Sequence, residues 1–115
     1  MNMTSAIENL IAAIVADYTE YQGRLDKLDE SARDIRERMN KEFREKLSFK
    51  EGKKYIKVIS GGGVWGFVVN TRDDAKFRYG DILKAVSWSS PARNSARGNV
   101  FEDYDVAWTG PHYAR

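Results

Sequence analysis

Cysteine is absent from the 115 residues, which excludes disulfides, thiolate metal sites and a cysteine nucleophile, and fits a reducing cytoplasm. Histidine occurs once, as His112, with no cysteine to complete a familiar zinc set, so no metal and no cofactor is expected. Long apolar runs are missing too. Leu10 to Ala16 is only seven residues and follows no basic leader, so neither a signal peptide nor a membrane span is expected, and the expected location is the cytoplasm. A net charge of +2 is too small to imply a polyanion partner by itself. The length allows one compact domain, or one small domain carrying a long extension.

Glycine, proline and tryptophan are unevenly placed. Residues 1–50 hold one of the nine glycines, no proline and no tryptophan. That shift divides the chain near Gly52 into a helical segment, 1–50, and a β-rich segment, 51–115, so the expected class is α+β. Nine basic and ten acidic residues give the first segment −1, and ten against seven give the second +3.

The first segment carries one dominant pattern. Ile7, Ile11, Ile14, Tyr18, Tyr21, Leu25, Leu28, Ala32, Ile35 and Met39 are spaced alternately four and three residues apart, the heptad seam of a coiled coil, and Phe43 and Leu47 continue it after a stutter. Ser5 and Glu8 have capping-box spacing, and Glu20/Arg24, Asp29/Arg33, Asp34/Arg38, Glu37/Lys41 and Glu42/Lys46 supply favourable pairs four residues apart. A single helix from Ser5 to Phe49, capped at Gly52, would be about 65 Å long at about 1.5 Å per residue. The remainder is too small to cover such a stripe, so the spacing predicts a homo-oligomer, with a dimer through the N-terminal helix as first choice. The alternative is a helical hairpin broken near Gly23 and packed on the same chain, since glycine weakens a helix.

In the second segment, alternation and turn residues predict strands at Tyr55–Ser60, Val64–Asn70 and Asp81–Trp88, then near Asn99–Glu102 and Val106–Thr109. Five short strands with ten aromatic residues point to a small antiparallel, barrel-like domain. Gly61-Gly62-Gly63 lacks the Gly-Lys-Ser/Thr ending and following helix of a phosphate loop, and reads as a hairpin turn. The run Lys76-Phe77-Arg78-Tyr79-Gly80-Asp81-Ile82-Leu83 resembles the strand entry of Src-homology and KOW-type barrels. Such barrels serve many functions.

Catalysis finds little support. No elbow motif frames a serine, and Asp73/Asp74 and Glu102/Asp103 suit turns and strand ends, so an enzyme is not expected. The long polar loop Ser89 to Asn99 is the distinctive binding candidate. Arg93 and Arg97 could grip phosphates or carboxylates in forked geometry, and Asn94 and Asn99 could hydrogen-bond a base or a peptide; alternatively the arginines clamp the loop to Glu102, Asp103 or Asp105. Lys53, Lys54, Lys57 and Lys84, interleaved with Tyr55, Trp65, Tyr79 and Trp88 among other basic residues, are candidate contacts to single- or double-stranded nucleic acid.

The stretch from Tyr79 to Phe101, with Trp108-Thr109-Gly110, resembles a group of short uncharacterised proteins from tailed bacteriophages. The resemblance implies a phage accessory protein in the host cytoplasm and supplies no site residues. The expected function is therefore a non-enzymatic, multivalent binding protein that presents β-domains to a host or phage protein. Nucleic-acid binding and a part in virion assembly are the alternatives.

Overall fold

A computed structural model describes residues 1–25 and 30–111, with side chains described outside 23–33. The first helix begins earlier than the capping-box spacing suggests. Asn2 Oδ1 accepts the Ser5 N–H at 2.9 Å, so asparagine caps the free amides of α1, Met3–Leu25. A second helix, α2, spans Glu30–Glu45.

The two helices lie side by side. Tyr18 of α1 and Phe43 of α2 stack with centroids 4.0 Å apart, whereas a continuous helix would hold those positions about 37 Å apart at about 1.5 Å per residue. The single helix to Phe49 is thus replaced by the hairpin arrangement, and a coiled coil is not shown. The apolar stripe has a different cover from the one expected. Ile7 and Ile14 are completely buried within the chain and Tyr18 nearly so; Ile11 and Tyr21 are half-buried, and Ile35 and Met39 are exposed. The Leu25, Leu28 and Ala32 side chains lie outside the described residues. Heptad spacing marks an apolar helix face but not what covers it, and here the chain's own sheet covers its first half.

That sheet is an antiparallel meander in the order β1-β2-β3-β4. Its strands are β1 Leu47–Glu51, β2 Tyr55–Ser60, β3 Gly63–Val69 and β4 Ile82–Lys84. The β-rich part thus starts at Leu47, because Leu-Ser-Phe-Lys-Glu alternates as a strand where the helical stripe was expected to continue. Gly61, at φ +62°, makes the β2–β3 turn that the glycine run predicts. Gly52 turns β1 into β2, its N–H bonding Tyr55 O at 2.9 Å.

Ile7, Leu10 and Ile14 pack with Ile56, Val58, Val68 and Ile82 on one face of the sheet, each contributing about 1.5–3 kcal/mol by leaving water. Phe67, Val69, Phe77 and Leu83 form a second core on the opposite face, with Ala85 and Ala96 from the loop against it. Trp65 has no partner in the register between Val58/Gly66 and Ile59/Val64. This extra residue of the bulge joins the α1-side core.

Among the described residues the sheet does not close into a barrel. β4 has only three residues, and its outer side is sealed by the returning loop: Ala92 N–H bonds Lys84 O, Arg97 N–H bonds Ile82 O, and Ile82 N–H bonds Gly98 O, at 2.7–2.8 Å. The expected strand at Asn99–Glu102 is reduced to a bridge between Asn99 and Asp81. Val106–Thr109 becomes part of a two-residue pairing between β5, Val106–Ala107, and β6, Gly110–Pro111. That small hairpin is tied down twice: Trp65 Nε1–H donates to Ala107 O at 2.8 Å, and Trp108 N–H donates to Asp17 Oδ2 at 2.9 Å. The Trp108 ring lies 5.2 Å from Tyr18, 5.3 Å from Tyr21 and 6.0 Å from Phe43. No described helix is long and apolar enough to cross a membrane.

Candidate functional site

The loop arginines turn inward. Arg93 donates from Nη1 and Nη2 to the Asp74 carboxylate at 3.0 and 2.9 Å, and from Nη1 to Tyr55 Oη. Its guanidinium carbon also lies 4.9 Å from the Phe77 ring centroid. The Asp74 carboxyl is held well below the usual carboxylate range, first by the Arg93 hydrogen bonds and then by the Lys76 and Phe77 backbone amides. Arg93 therefore clamps the loop, but to Asp74 rather than to Glu102, Asp103 or Asp105. Arg97 is buried, at 6% exposure.

Asn99 is buried as well. Its amide donates to Tyr79 O and Asp81 Oδ1, both at 3.0 Å, and its Oδ1 accepts the Phe101 N–H at 2.9 Å. Nearby, Arg78 forms a bidentate pair with Glu102 at 2.7 and 2.9 Å, which holds the Glu102 carboxyl below its ordinary value. Of the four loop candidates Asn94 is exposed and Arg93 half-buried, with 38% of its side chain open to solvent, and the Asn94 backbone oxygen accepts from Lys76 Nζ at 3.0 Å. Arg93, Asn94, Arg97 and Lys84 meet at one shallow cleft of about 550 Å³, whose rim includes Val86; Asn99 lies apart from it.

From that rim the chain makes a tight turn. Val86 and Ser87 N–H both bond Ser90 O, which pushes Val86 and Trp88 outward to 71% and 53% exposure. Lys57 Nζ sits 4.3 Å from the Trp88 ring centroid, a cation over an electron-rich face. Lys57 is directly opposite Lys50 in the β1–β2 register, so both leave the sheet on one face. Across residues 46–60, Lys46, Lys50, Lys53, Lys54 and Lys57 are opposed by Glu51 alone. Lys53 and Lys54 are exposed at the β1–β2 turn. The arrangement combines an exposed indole, a lysine held against it and further ammonium groups along the same hairpin.

Residues 1–112 match the family model of DUF7717, described as a family of unknown function. The chain belongs to DUF7717. No curated protein and no solved structure matches it.

In this DUF7717 chain the sequence picks out Lys53, Lys54, Lys57 and Lys84 but misses Lys50 and Val86, and it cannot separate Trp88 from the buried Trp65. The available signal for Lys50 is the alternation Leu47-Ser48-Phe49-Lys50, which puts it in a strand beside Lys57. Among the described residues no group of three or more His, Asp or Glu side chains is arranged to hold a metal, and His112 lies outside them.

Proposed function

We propose that this protein binds single-stranded nucleic acid, with Trp88 stacking a base and the lysines of the β1–β2 hairpin holding the phosphates. The observation that carries the reading is the Lys57–Trp88 pair. An indole that is 53% exposed with an ammonium 4.3 Å from its ring supplies a stacking surface and a phosphate contact at one point. Lys50 lengthens the charged track, and the cleft rimmed by Lys84 and Val86 offers the strand a continuation. The reading favours nucleic acid over a partner gripped by the loop arginines, because Arg93 is held by Asp74 and Arg97 is buried. The resemblance of the C-terminal part to short phage proteins would put this activity, within the same proposal, in the cytoplasm of an infected cell.

Titration of labelled oligothymidylate at about 50 and about 200 mM salt tests it. Three phosphate contacts would give a log–log slope near about −2, at about 0.7 per contact for single strands. Trp88→Ala would cost about 1–3 kcal/mol, roughly a five- to 150-fold loss. No binding at low salt, or binding untouched in a folded Trp88→Ala/Lys57→Ala variant, would overturn the reading. So would binding confined to anionic vesicles.

A further inference from the structure

The two outer strands of the sheet have different fates. The outer side of β4 is hydrogen-bonded by the loop from Ala92 to Gly98, whereas the outer side of β1 has no backbone partner among the described residues. An unpaired edge invites another strand unless a bulge, a proline, a cover or a clustered charge blocks it. β1 has no bulge in its pairing with β2 and no proline, and the strand itself carries one charge of each sign, Lys50 and Glu51, the other lysines of the hairpin lying outside it. Ser48 to Glu51 are all exposed, and Phe49, at 37%, is among the exposed large apolar residues.

We propose that two copies of this chain join edge to edge through antiparallel β1 strands, with the two-fold axis at Phe49. Length and charge select this register: an axis at Leu47 would pair only Lys46 to Ser48 before the strand runs into α2, which ends at Glu45, and charge decides among the others. If both α1 helices lie on one side of the joined sheet, only residues of the same face can stand opposite one another, so the axis falls at a residue position. An axis at Ser48 sets Lys46 against Lys50, one at Lys50 sets Lys50 against itself, and one at Glu51 sets Glu51 against itself. Like charges directly opposite destabilise a ladder. The Phe49 axis pairs Phe49 with Phe49 of the second copy, Ser48 with Lys50 and Leu47 with Glu51, and opposes no like charges.

This inference rests on the strand edge and not on the ligand, yet it changes what the proposed site could do. In the joined sheet Lys57 and Lys50 of each copy lie on one face, with a Trp88 turn beyond each end. Two sites on one rigid sheet would bind a long strand with an avidity that neither has alone.

The absence of cysteine makes the register directly readable. Phe49→Cys would bring two sulfurs face to face across paired Cα atoms about 4.5–5.5 Å apart, within disulfide reach. Ser48→Cys and Lys50→Cys would each leave like cysteines two residues out of register, at about 8 Å and out of reach. The result expected on mild oxidation is a linked Phe49→Cys dimer, little linkage for Ser48→Cys or Lys50→Cys alone, and a linked heterodimer when those two are mixed. Light scattering of the unaltered chain should show concentration-dependent dimers that Phe49→Lys disperses while leaving the circular dichroism unchanged.

Equal linkage at all three positions would overturn the inference. A unaltered chain that stays single-copy at every concentration would do the same, as would a dimer dispersed by Ile35→Lys but not by Phe49→Lys. Oligothymidylate binding by the Phe49→Lys monomer reports on the nucleic-acid reading separately.

Discussion

Arg93 and Asp74, 19 residues apart, meet in a two-point ion pair with N···O distances of 2.9 and 3.0 Å and fasten the 85–99 loop to the β3–β4 connection. The Asp74 side chain is only 1% exposed beneath Arg93, so removing Arg93 would take away its two-point partner and leave it the Lys76 and Phe77 backbone amides alone.

Arg93→Ala is accordingly expected to loosen the loop and lower Tm on the order of 5 °C, measured by circular dichroism. The pH dependence has a definite sign. Since Asp74 ionises in the folded chain well below its ordinary value of 3.8, its contribution is complete above that pH and is lost as pH falls below it. The urea-midpoint gap between the unaltered protein and Asp74→Asn should therefore be constant near neutrality and close in acid. A gap that widened in acid would contradict this assignment.

Gly80→Ala tests the turn into β4. Gly80 has φ +92°, and an added Cβ would come within 2.6 Å of Phe101 Cδ2 and 3.0 Å of Asn99 Oδ1. Backbone strain and overpacking together predict a loss of about 2–4 kcal/mol in urea unfolding.

Ile14 and Ile35 hold equivalent positions in the heptad pattern but opposite positions in the fold, at 0% and 55% exposure. Ile14→Ala should cost about 2–5 kcal/mol by opening a cavity. Ile35→Ala should change stability by less than about 0.5 kcal/mol, as an exposed site does. A reversed order in paired denaturation curves would mean that α1 does not lie on the sheet.

Trp88 should dominate collisional quenching of the intrinsic fluorescence, because Trp65 is 4% exposed and Trp108 is half-buried. Iodide should quench more strongly than caesium, drawn by Lys57 above the ring. Trp88→Phe should remove most of the iodide response, and Lys57→Glu should shift the preference toward caesium.

These contrasts mark what the sequence made legible. The α+β division, β2, β3 and the glycine turn follow from alternation and from residues with special backbone freedom, which act locally. The cover of the stripe is a non-local matter, since Ile7 and Ile14 have the same spacing against a sheet as against another helix. β1 was hidden because Leu47 continues the stripe of Phe43 at helical spacing. At the site, Lys57 was legible as a charge. The exposure of Trp88 depends on the Val86–Ser90 turn, and the capture of Arg93 depends on Asp74, which local pattern assigns only to a turn.

The Tyr18, Phe43 and Trp108 cluster links the beginning of the chain to its end. During synthesis, Tyr18 and Phe43 emerge long before Trp108, and α1 must wait for β2 and β3 before its apolar side has a floor. The nascent polypeptide thus carries the greasy face from Ile7 to Tyr18 without its floor at least until Val69, the last residue of β3, has been made.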